Sequence, residues 1–270
     1  MTDTLDAIRG MALAAAMATA FAGAPAQAQA TPAQAQAAPA GIPRQANGKP
    51  DFSGVWQTLS EADYDLEPHA SRRDAPPSAG VVEGGQLPYR PEALAQKRAN
   101  FESRGEDDPR LKCWSLGVPR SVYYPAPFQI FQNQDDLTLV HQLGHQVRTI
   151  FTDGSLHPEH LEEGYWLGDS RGRWEGDTLV VDVNHFNGET WFDRAGAYHG
   201  ESLHVVERWA FVDANTVSYT ATVEDPDVYT RPWTVSVLLN RRRDKGFELI
   251  EDYCFTLPYE PYYPHKDVTQ

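Results

Sequence analysis

Residues 203–224, LHVVERWAFVDANTVSYTATVE, decide the fold. Apolar and polar side chains alternate along two runs of this stretch, 203–212 and 216–224, and Asp-Ala-Asn at 213–215 has the composition of a tight turn. Successive side chains of a β-strand point to opposite faces, so the odd positions of both runs share one apolar face. The pattern predicts two neighbouring antiparallel strands with one buried face.

Further runs along the chain predict more strands of the same kind. We expect them at 52–56, 128–134, 137–152, 165–174, 178–186, 233–242 and 247–255. Short, turn-rich breaks separate most of them, which favours antiparallel neighbours. The sequence therefore predicts an all-β domain of about eight or nine strands, built as an antiparallel up-and-down barrel or as a sandwich.

Residues 57–127 interrupt this pattern with frequent Pro and Gly and little strand periodicity. One helix is predicted at 91–102, where a Pro stands at the first helical position and good helix formers follow. The stretch is too long for a simple connector, so we expect a loop and helix insertion that packs over the barrel as a lid. The barrel domain as a whole is predicted to span 49–260.

The amino-terminal part predicts export. Residues 1–30 contain a short Ala-rich apolar run that ends on Ala-Gln-Ala sites, as a signal peptide does, and the Ala, Gln and Pro of 31–48 predict a disordered tether. Removing 1–30 takes away two acids and one base, so the net charge changes from −15 to −14 (−15 + 2 − 1). We expect an acidic protein of the periplasm or the secreted fraction.

The charge and the cysteines narrow the classes of partner. A strongly negative chain repels nucleic acid and anionic membrane surfaces, and no second apolar stretch is long enough for insertion into a membrane. In an oxidising compartment Cys113 and Cys254 are predicted to form a disulfide, and the alternative is a reactive thiol or a metal thiolate. The sequence makes no prediction about the oligomeric state.

Sorting the strands by face places five polar side chains on apolar faces: His141, His145, His185, Glu207 and Glu251. A buried carboxylate must be paired, protonated or hydrated. The five groups either satisfy one another in the core, or a bulge at Gly144 inverts the faces after it, or they line a cavity that holds a ligand. For the third case we predict acid–base catalysis by His145 with Glu207 or Glu251, with His141 beside them.

Other residues are candidates for binding a substrate. Arg148, Arg231 or Tyr229 would hold an oxyanion, although Arg231 also suits stacking on a tryptophan. The loop at 187–199 is interpreted either as a functional barrel mouth or as a plug in which an aspartate caps a turn. The remaining predicted binding residues are His185, Trp191, Asp193, His199 and Trp233.

A metal site is the alternative for the histidines outside the strands. His157 and His160 are three residues apart beside carboxylates, and His199 or His204 would complete the ligand set. The chain has no P-loop, GxSxG, dinucleotide fingerprint or HExxH motif, so no nucleotide cofactor is expected. Apart from this alternative metal site, the sequence predicts a protein without a cofactor.

Several motifs together resemble a known family. They are PDFSGVW at 50–56, GVPR at 117–120, GRWEGDTLVVD at 172–182, HVVER at 204–208 and YTRPWTV at 229–235. This set is similar to a large family of exported bacterial proteins that have no assigned function. Gly54-Val55-Trp56 also resembles the GxW that opens the first strand of lipocalins, which implies a lipocalin-like barrel. The insertion at 57–127 departs from a plain lipocalin.

Three functions are compatible with these features. The first is a cofactor-independent lyase, dehydratase or isomerase acting on a small hydrophobic or aromatic molecule, such as a fragment of a plant polymer, inside the barrel. The second is a periplasmic lipocalin-like binding protein that uses the same pocket without chemistry. The third is a metal-dependent lyase or hydrolase. A barrel of this kind hosts carriers and enzymes alike, so the fold does not choose between them.

Overall fold

Nine strands close into a β-barrel in the computed structural model, which describes residues 41–144, 146–160 and 162–252. The predicted all-β barrel is confirmed. The strands are β1 Gly54–Thr58, β2 Phe128–Gln132, β3 Asp136–His141, β4 Val147–Phe151, β5 Asp169–Glu175, β6 Thr178–Asn184, β7 His204–Asp213, β8 Thr216–Glu224 and β9 Trp233–Arg241. Two α-helices, α1 Ala93–Asp107 and α2 Arg120–Tyr123, and a 3-10 helix, Pro109–Lys112, lie between β1 and β2.

The neighbours in the barrel follow the order of the chain, and β1 pairs with β9 to close it. An odd number of strands cannot alternate in direction all the way around a closed ring. One neighbouring pair must therefore run parallel, and that pair is β4 and β5. The prediction of an entirely antiparallel barrel is wrong at this pair for a purely geometric reason.

The parallel pair is held by a short ladder. β4 and β5 are in register only at Ile150 with Ser170 and at Phe151 with Arg171. A parallel neighbour also needs a connection that returns to the other end of the barrel, and residues 152–168 supply this crossover. The first residues of β4 therefore face the end of the crossover without a shared ladder.

The predicted strand 137–152 is wrong in its length. It divides into β3 and β4, joined by a turn in which Gly144 has a φ of 65°, a conformation that few other residues adopt. Beyond the turn the inward positions become even, so Arg148 and Ile150 are buried while Val147 and Phe151 are exposed. The expected inversion of faces after Gly144 is thus confirmed, with a hairpin turn in place of a bulge.

Two other strand predictions need correction. The strand predicted at 165–174 begins only at Asp169, since the preceding residues belong to the crossover. Residues 247–252 form no strand, and their bridge from Asp252 to Leu143 is isolated. The last three residues of that predicted strand lie outside the described part of the chain.

The insertion packs against the barrel and adds to its core. Val122 and Tyr123 of α2 are fully buried, and the Thr58 hydroxyl at the end of β1 donates to the Val122 carbonyl at 3.0 Å. Two isolated bridges, Val82 with Val235 and Tyr89 with Tyr229, join the insertion to the β8–β9 side. The helix predicted at 91–102 corresponds to α1.

A buried ion network fastens the insertion. The Arg120 guanidinium donates to Asp63 at 2.8 Å and to both oxygens of Asp108 at 3.0 Å, and all three side chains are at most 1% exposed. Arg194, from the loop after β6, donates to the second oxygen of Asp63 at 2.6 Å. Burial raises the pKa of Asp63, but the charges of Arg194, Arg120 and Arg110 outweigh it and lower the pKa to about 2.

The described chain begins before the predicted start of order. Ile42 is buried, and Arg44 forms an ion pair with Asp177 at 2.8 Å, so residues 41–48 contact the barrel. The predicted signal peptide, the rest of the predicted tether and Cys254 lie outside the described residues, and the predicted disulfide to Cys113 stays a prediction. Among the described helices, none has the length and apolar character needed to cross a membrane.

We predict that Arg120→Met destabilises the fold strongly. The variant leaves the carboxylates of Asp63 and Asp108 buried with less compensating charge, and removing one partner of a buried pair costs about 3–5 kcal/mol. The matched control is Arg44→Met, which breaks an ion pair at an exposed arginine. Urea unfolding followed by circular dichroism should show a large loss for the first variant and a small one for the second. Equal losses would contradict a structural role for the network.

Candidate functional site: a groove in the barrel wall

A groove opens where β4 and β5 separate. Its volume is about 370 Å³. One side is formed by β4 and the other by the end of the crossover and the start of β5, and the lining residues are Val147, Arg148, Thr149, Phe151, Tyr165, Trp166, Leu167, Gly168, Asp169 and Ser170. Phe151 and Ser170 belong to the two-rung ladder, and the other lining residues precede it on either side. The groove is therefore a direct result of the parallel pair.

Arg148 connects the groove to the interior of the barrel. Its two terminal nitrogens donate to the two oxygens of Glu207 at 3.0 and 2.6 Å, and its Nε donates to the Ser170 hydroxyl at 3.0 Å. The hydroxyl of Tyr219 donates to Glu207 at 2.7 Å. Burial raises the pKa of Tyr219 well above its ordinary value, so this hydroxyl keeps its proton. Both oxygens of the Glu207 carboxylate are thus engaged.

The guanidinium of Arg148 retains capacity for a ligand. An arginine has five N–H groups, and three of those of Arg148 are used in the contacts just described. Within the described chain, one further N–H on each terminal nitrogen has no hydrogen-bond acceptor. These two donors belong to a side chain that is 1% exposed, so they lie behind the groove and a bound molecule would have to reach past its wall to meet them.

The charges that line the groove are already compensated. Arg148 is paired with Glu207, and Asp169 accepts from Arg171 at 2.7 and 2.8 Å. Burial raises the pKa of Asp169, but hydrogen bonds from Arg171 and His157 outweigh it and hold the pKa below its ordinary value. The groove therefore presents no uncompensated positive charge that would favour an anionic ligand.

Behind Arg148 the interior contains polar atoms without partners. Three of them have no hydrogen-bond partner among the described residues: Nε2 of His141, Nε1 of Trp209 and the hydroxyl of Ser121. Burial, together with the charge of Arg148, lowers the pKa of His141 to about 3, so its ring is neutral near neutral pH. A buried polar group without a partner costs about 1–3 kcal/mol, which a molecule offering hydrogen bonds would relieve.

The predicted catalytic set is only partly brought together. Glu207 and His141 both face the barrel interior close to Arg148. Glu251 is exposed on the segment after β9, away from this interior. His145 lies outside the described residues. The pairing of His145 with Glu207 or Glu251 therefore stays a prediction.

A separate polar cluster lies on the outer face of the barrel. His157 contacts Asp169 at 2.6 Å through Nδ1 and Asp182 at 3.0 Å through Nε2. His204 contacts the other oxygen of Asp182 at 3.0 Å. The alternating positions of β5, β6 and β7 place these side chains outside, and the cluster holds the crossover against the barrel.

The predicted metal ligands are not gathered. Of that set, His157 and His204 share Asp182, but His160 is exposed, and His199 is buried elsewhere, bonded to the Thr190 hydroxyl at 2.7 Å and the Gly200 carbonyl at 2.9 Å. No group of three or more metal-binding side chains is found in the part of the chain that the structure describes. Burial lowers the pKa of His199.

The loop at 187–199 plugs the barrel end instead of lining the groove. Asp193 is fully buried and accepts from the backbone N–H groups of Leu66 at 3.0 Å and Ala197 at 2.9 Å. The loop thereby docks on the insertion, and the predicted role of Asp193 as the cap of a turn is confirmed. Trp191 forms an isolated bridge with Tyr198 at the base of the same loop.

The other predicted binding residues also lie away from the groove. Tyr229 is buried and donates to the Tyr198 carbonyl at 2.8 Å, and its ring packs edge-on against Trp233, which is also buried. Arg231 is exposed and donates to the Pro232 carbonyl at 3.2 Å. His185 follows β6 with a φ of 60° and contacts Asn184. Of the predicted binding residues, Arg148 alone lines the groove.

Sequence reasoning missed most of the groove. The strand predicted at 165–174 includes Tyr165, Trp166 and Gly168, whose adjacent aromatic and glycine residues are the signal of a loop wall. Val147 and Phe151 were assigned to the wrong faces, because the turn at Gly144 was not placed. Neither comparison with known proteins, by family models or by curated sequences, returned a match to this chain.

We predict that His141 makes the fold sensitive to mild acid. Its folded pKa, about 3, lies below the ordinary value of 6.5, so the unfolded chain binds the proton first and stability falls as pH drops below 6.5. Between pH 7 and pH 5 the loss from this group is about 2 kcal/mol. Urea unfolding of His141→Leu should show a drop smaller by about that amount.

The matched control is His160→Leu, because His160 is exposed. Buried His199 also contributes to the acid sensitivity in the same direction, and it is present in every variant. If His141→Leu and the original protein lose the same stability between pH 7 and pH 5, the neutral state of His141 is disproved.

Proposed function

We propose that this protein is a lipocalin-like binding protein for a small aromatic molecule, bound in the groove between β4 and β5. The observation that carries the proposal is the groove of about 370 Å³ with aromatic walls and the buried guanidinium of Arg148 behind them. Ligand sites are typically concave and apolar with a few placed polar groups, and this site has that composition.

The polarity of the groove defines the chemistry of the ligand. Phe151, Tyr165 and Trp166 offer flat apolar surfaces. Arg148 behind them has hydrogen-bond donors, and its positive charge is already balanced by Glu207. An uncharged aromatic compound with a hydroxyl or carbonyl oxygen matches both features. A carboxylate or phosphate would add a negative charge that the groove does not balance, because Arg148 is already paired with Glu207.

Binding has more support than acid–base turnover. A catalytic base needs a lone pair directed at the substrate, whereas both carboxylate oxygens of Glu207 already accept hydrogen bonds from Arg148 and Tyr219. His141 is a weak base, because burial lowers its pKa to about 3. The lyase or isomerase predicted from the sequence remains a second candidate, carried by the position of these two side chains in the interior.

We also propose that the protein acts after export. The signal peptide predicted at 1–30 and the predicted bridge between Cys113 and Cys254 both point to an oxidising compartment. A binding protein in the periplasm or the secreted fraction would capture small aromatic molecules from outside the cell. The acidic charge then serves solubility.

We predict that Val147→Trp weakens ligand binding by at least about tenfold. Val147 lies on the groove wall and is 57% exposed, so the larger side chain fills the groove without entering the core. The matched control is Leu238→Trp, which places the same ring at a 53% exposed position on β9. The measurement is isothermal titration calorimetry with 2-naphthol as the probe.

A second probe tests the charge of the ligand. 2-Naphthoate has the same ring system with a carboxylate, and it should bind at least about tenfold more weakly than 2-naphthol because the groove charges are already paired. Equal binding of 2-naphthol to the two tryptophan variants would place the binding elsewhere. Tighter binding of the anion would reverse the proposed chemistry of the site.

A further inference from the structure

The exposed apolar side chains of this protein are concentrated around the groove. Among the described residues, eleven large hydrophobic side chains are exposed. Four of them line the groove, namely Val147, Phe151, Tyr165 and Trp166. A fifth, Trp114, is 40% exposed and packs edge to face on Trp166, with the ring centroids 5.2 Å apart. Clustered exposed apolar surface is typical of a binding site.

Trp114 and Trp166 come from two different parts of the chain, and we call the pair the aromatic rim. Trp166 belongs to the crossover and lines the groove, where it is 37% exposed. Trp114 belongs to the insertion and follows Cys113, which ends the 3-10 helix in a left-handed conformation with a φ of 62°. The insertion thus adds a surface beside the groove that the barrel itself does not have.

The position of Trp114 is fixed relative to β4. The side-chain oxygen of Gln146 accepts from the Ser115 hydroxyl at 2.9 Å and from the Leu116 N–H at 3.2 Å. Gln146 immediately precedes β4, whose first residue lines the groove. The ammonium of Lys112 lies 5.4 Å from the centre of the Trp114 ring. The rim is therefore held beside the groove by contacts other than the two indoles.

We propose that the aromatic rim is the second subsite of the ligand site and selects an uncharged molecule with two linked aromatic rings. This inference rests on the proposed function of the groove. One ring, carrying an oxygen acceptor, lies in the groove against Arg148. The other ring extends out of the groove and packs on Trp114. An edge-to-face pair leaves part of each indole exposed, as the 40% and 37% exposures show, so a ligand ring has a surface to cover.

The test compares a one-ring and a two-ring probe, phenol and 4-phenylphenol, by calorimetric titration. For Trp114→Ala, binding of 4-phenylphenol should weaken by about 2- to 12-fold, the range of a single aromatic contact, while binding of phenol stays unchanged. Trp114→Phe should retain most of the affinity for the two-ring probe. Leu238→Ala is the control, because it removes a similarly exposed apolar side chain from β9.

The outcomes separate this inference from the proposed function. If Val147→Trp weakens both probes and Trp114→Ala weakens neither, the groove binds but the rim is not a subsite. If Trp114→Ala weakens both probes equally, the rim does not select a second ring and the inference is wrong. If Val147→Trp leaves both probes unaffected, or if the original protein binds neither probe, the groove proposal fails and the rim proposal fails with it.

Discussion

A closed ring of nine strands cannot alternate in direction throughout, and this constraint shapes the rest of the structure. The barrel resolves it with one parallel pair, β4 and β5, and places the crossover 152–168 beside that pair. The short ladder leaves an opening in the wall beside Arg148, whose side chain stays buried behind it. The candidate site therefore depends on two features: the parallel pair that an odd-numbered ring requires, and the presence of Arg148 at that pair.

Arg148 and Glu207 show how a charged pair is tolerated inside a barrel. The side chain of each is at most 1% exposed. Removing two charges from water costs several kcal/mol of free energy per ion, about as much as their attraction returns. The bidentate geometry, the Tyr219 hydroxyl and the Ser170 hydroxyl together supply the hydrogen bonds that compensate. The pair also spans the gap from β4 to β7 across the interior, so it joins walls that share no ladder.

The sequence predicted the barrel well because alternation is a local signal. β6, β7, β8 and β9 match their predicted runs to within two residues at each end, and burial alternates with a period of two along most of β7, β8 and β9. The ion partner of Glu207 was beyond reach for a specific reason. If 137–152 is treated as one strand, the alternation of side chains places Arg148 on the outer face. The turn at Gly144 reverses the faces after it, so Arg148 points inward. The parallel pair was equally hidden, since strand direction depends on the closure of the whole ring.

The site was predicted only in part because its walls come from outside the ladder. Tyr165 and Trp166 precede β5, and Trp114 lies in an insertion whose contacts with β4 run through Gln146. Neither position has a periodicity that alternation can read. By contrast, Glu207 and His141 stood out as polar residues on apolar faces, and the structure does place both in the interior.

The crossover is fastened to the barrel mainly by side chains, with one isolated bridge from Tyr165 to Phe186. His157 lies between Asp169 and Asp182, and Arg171 contacts Ser155. A wall held in this way can change sequence and length without disturbing the hydrogen-bond ladder of the sheet. This connection between β4 and β5 is thus the place where the shape of the groove can change at the least cost to the barrel.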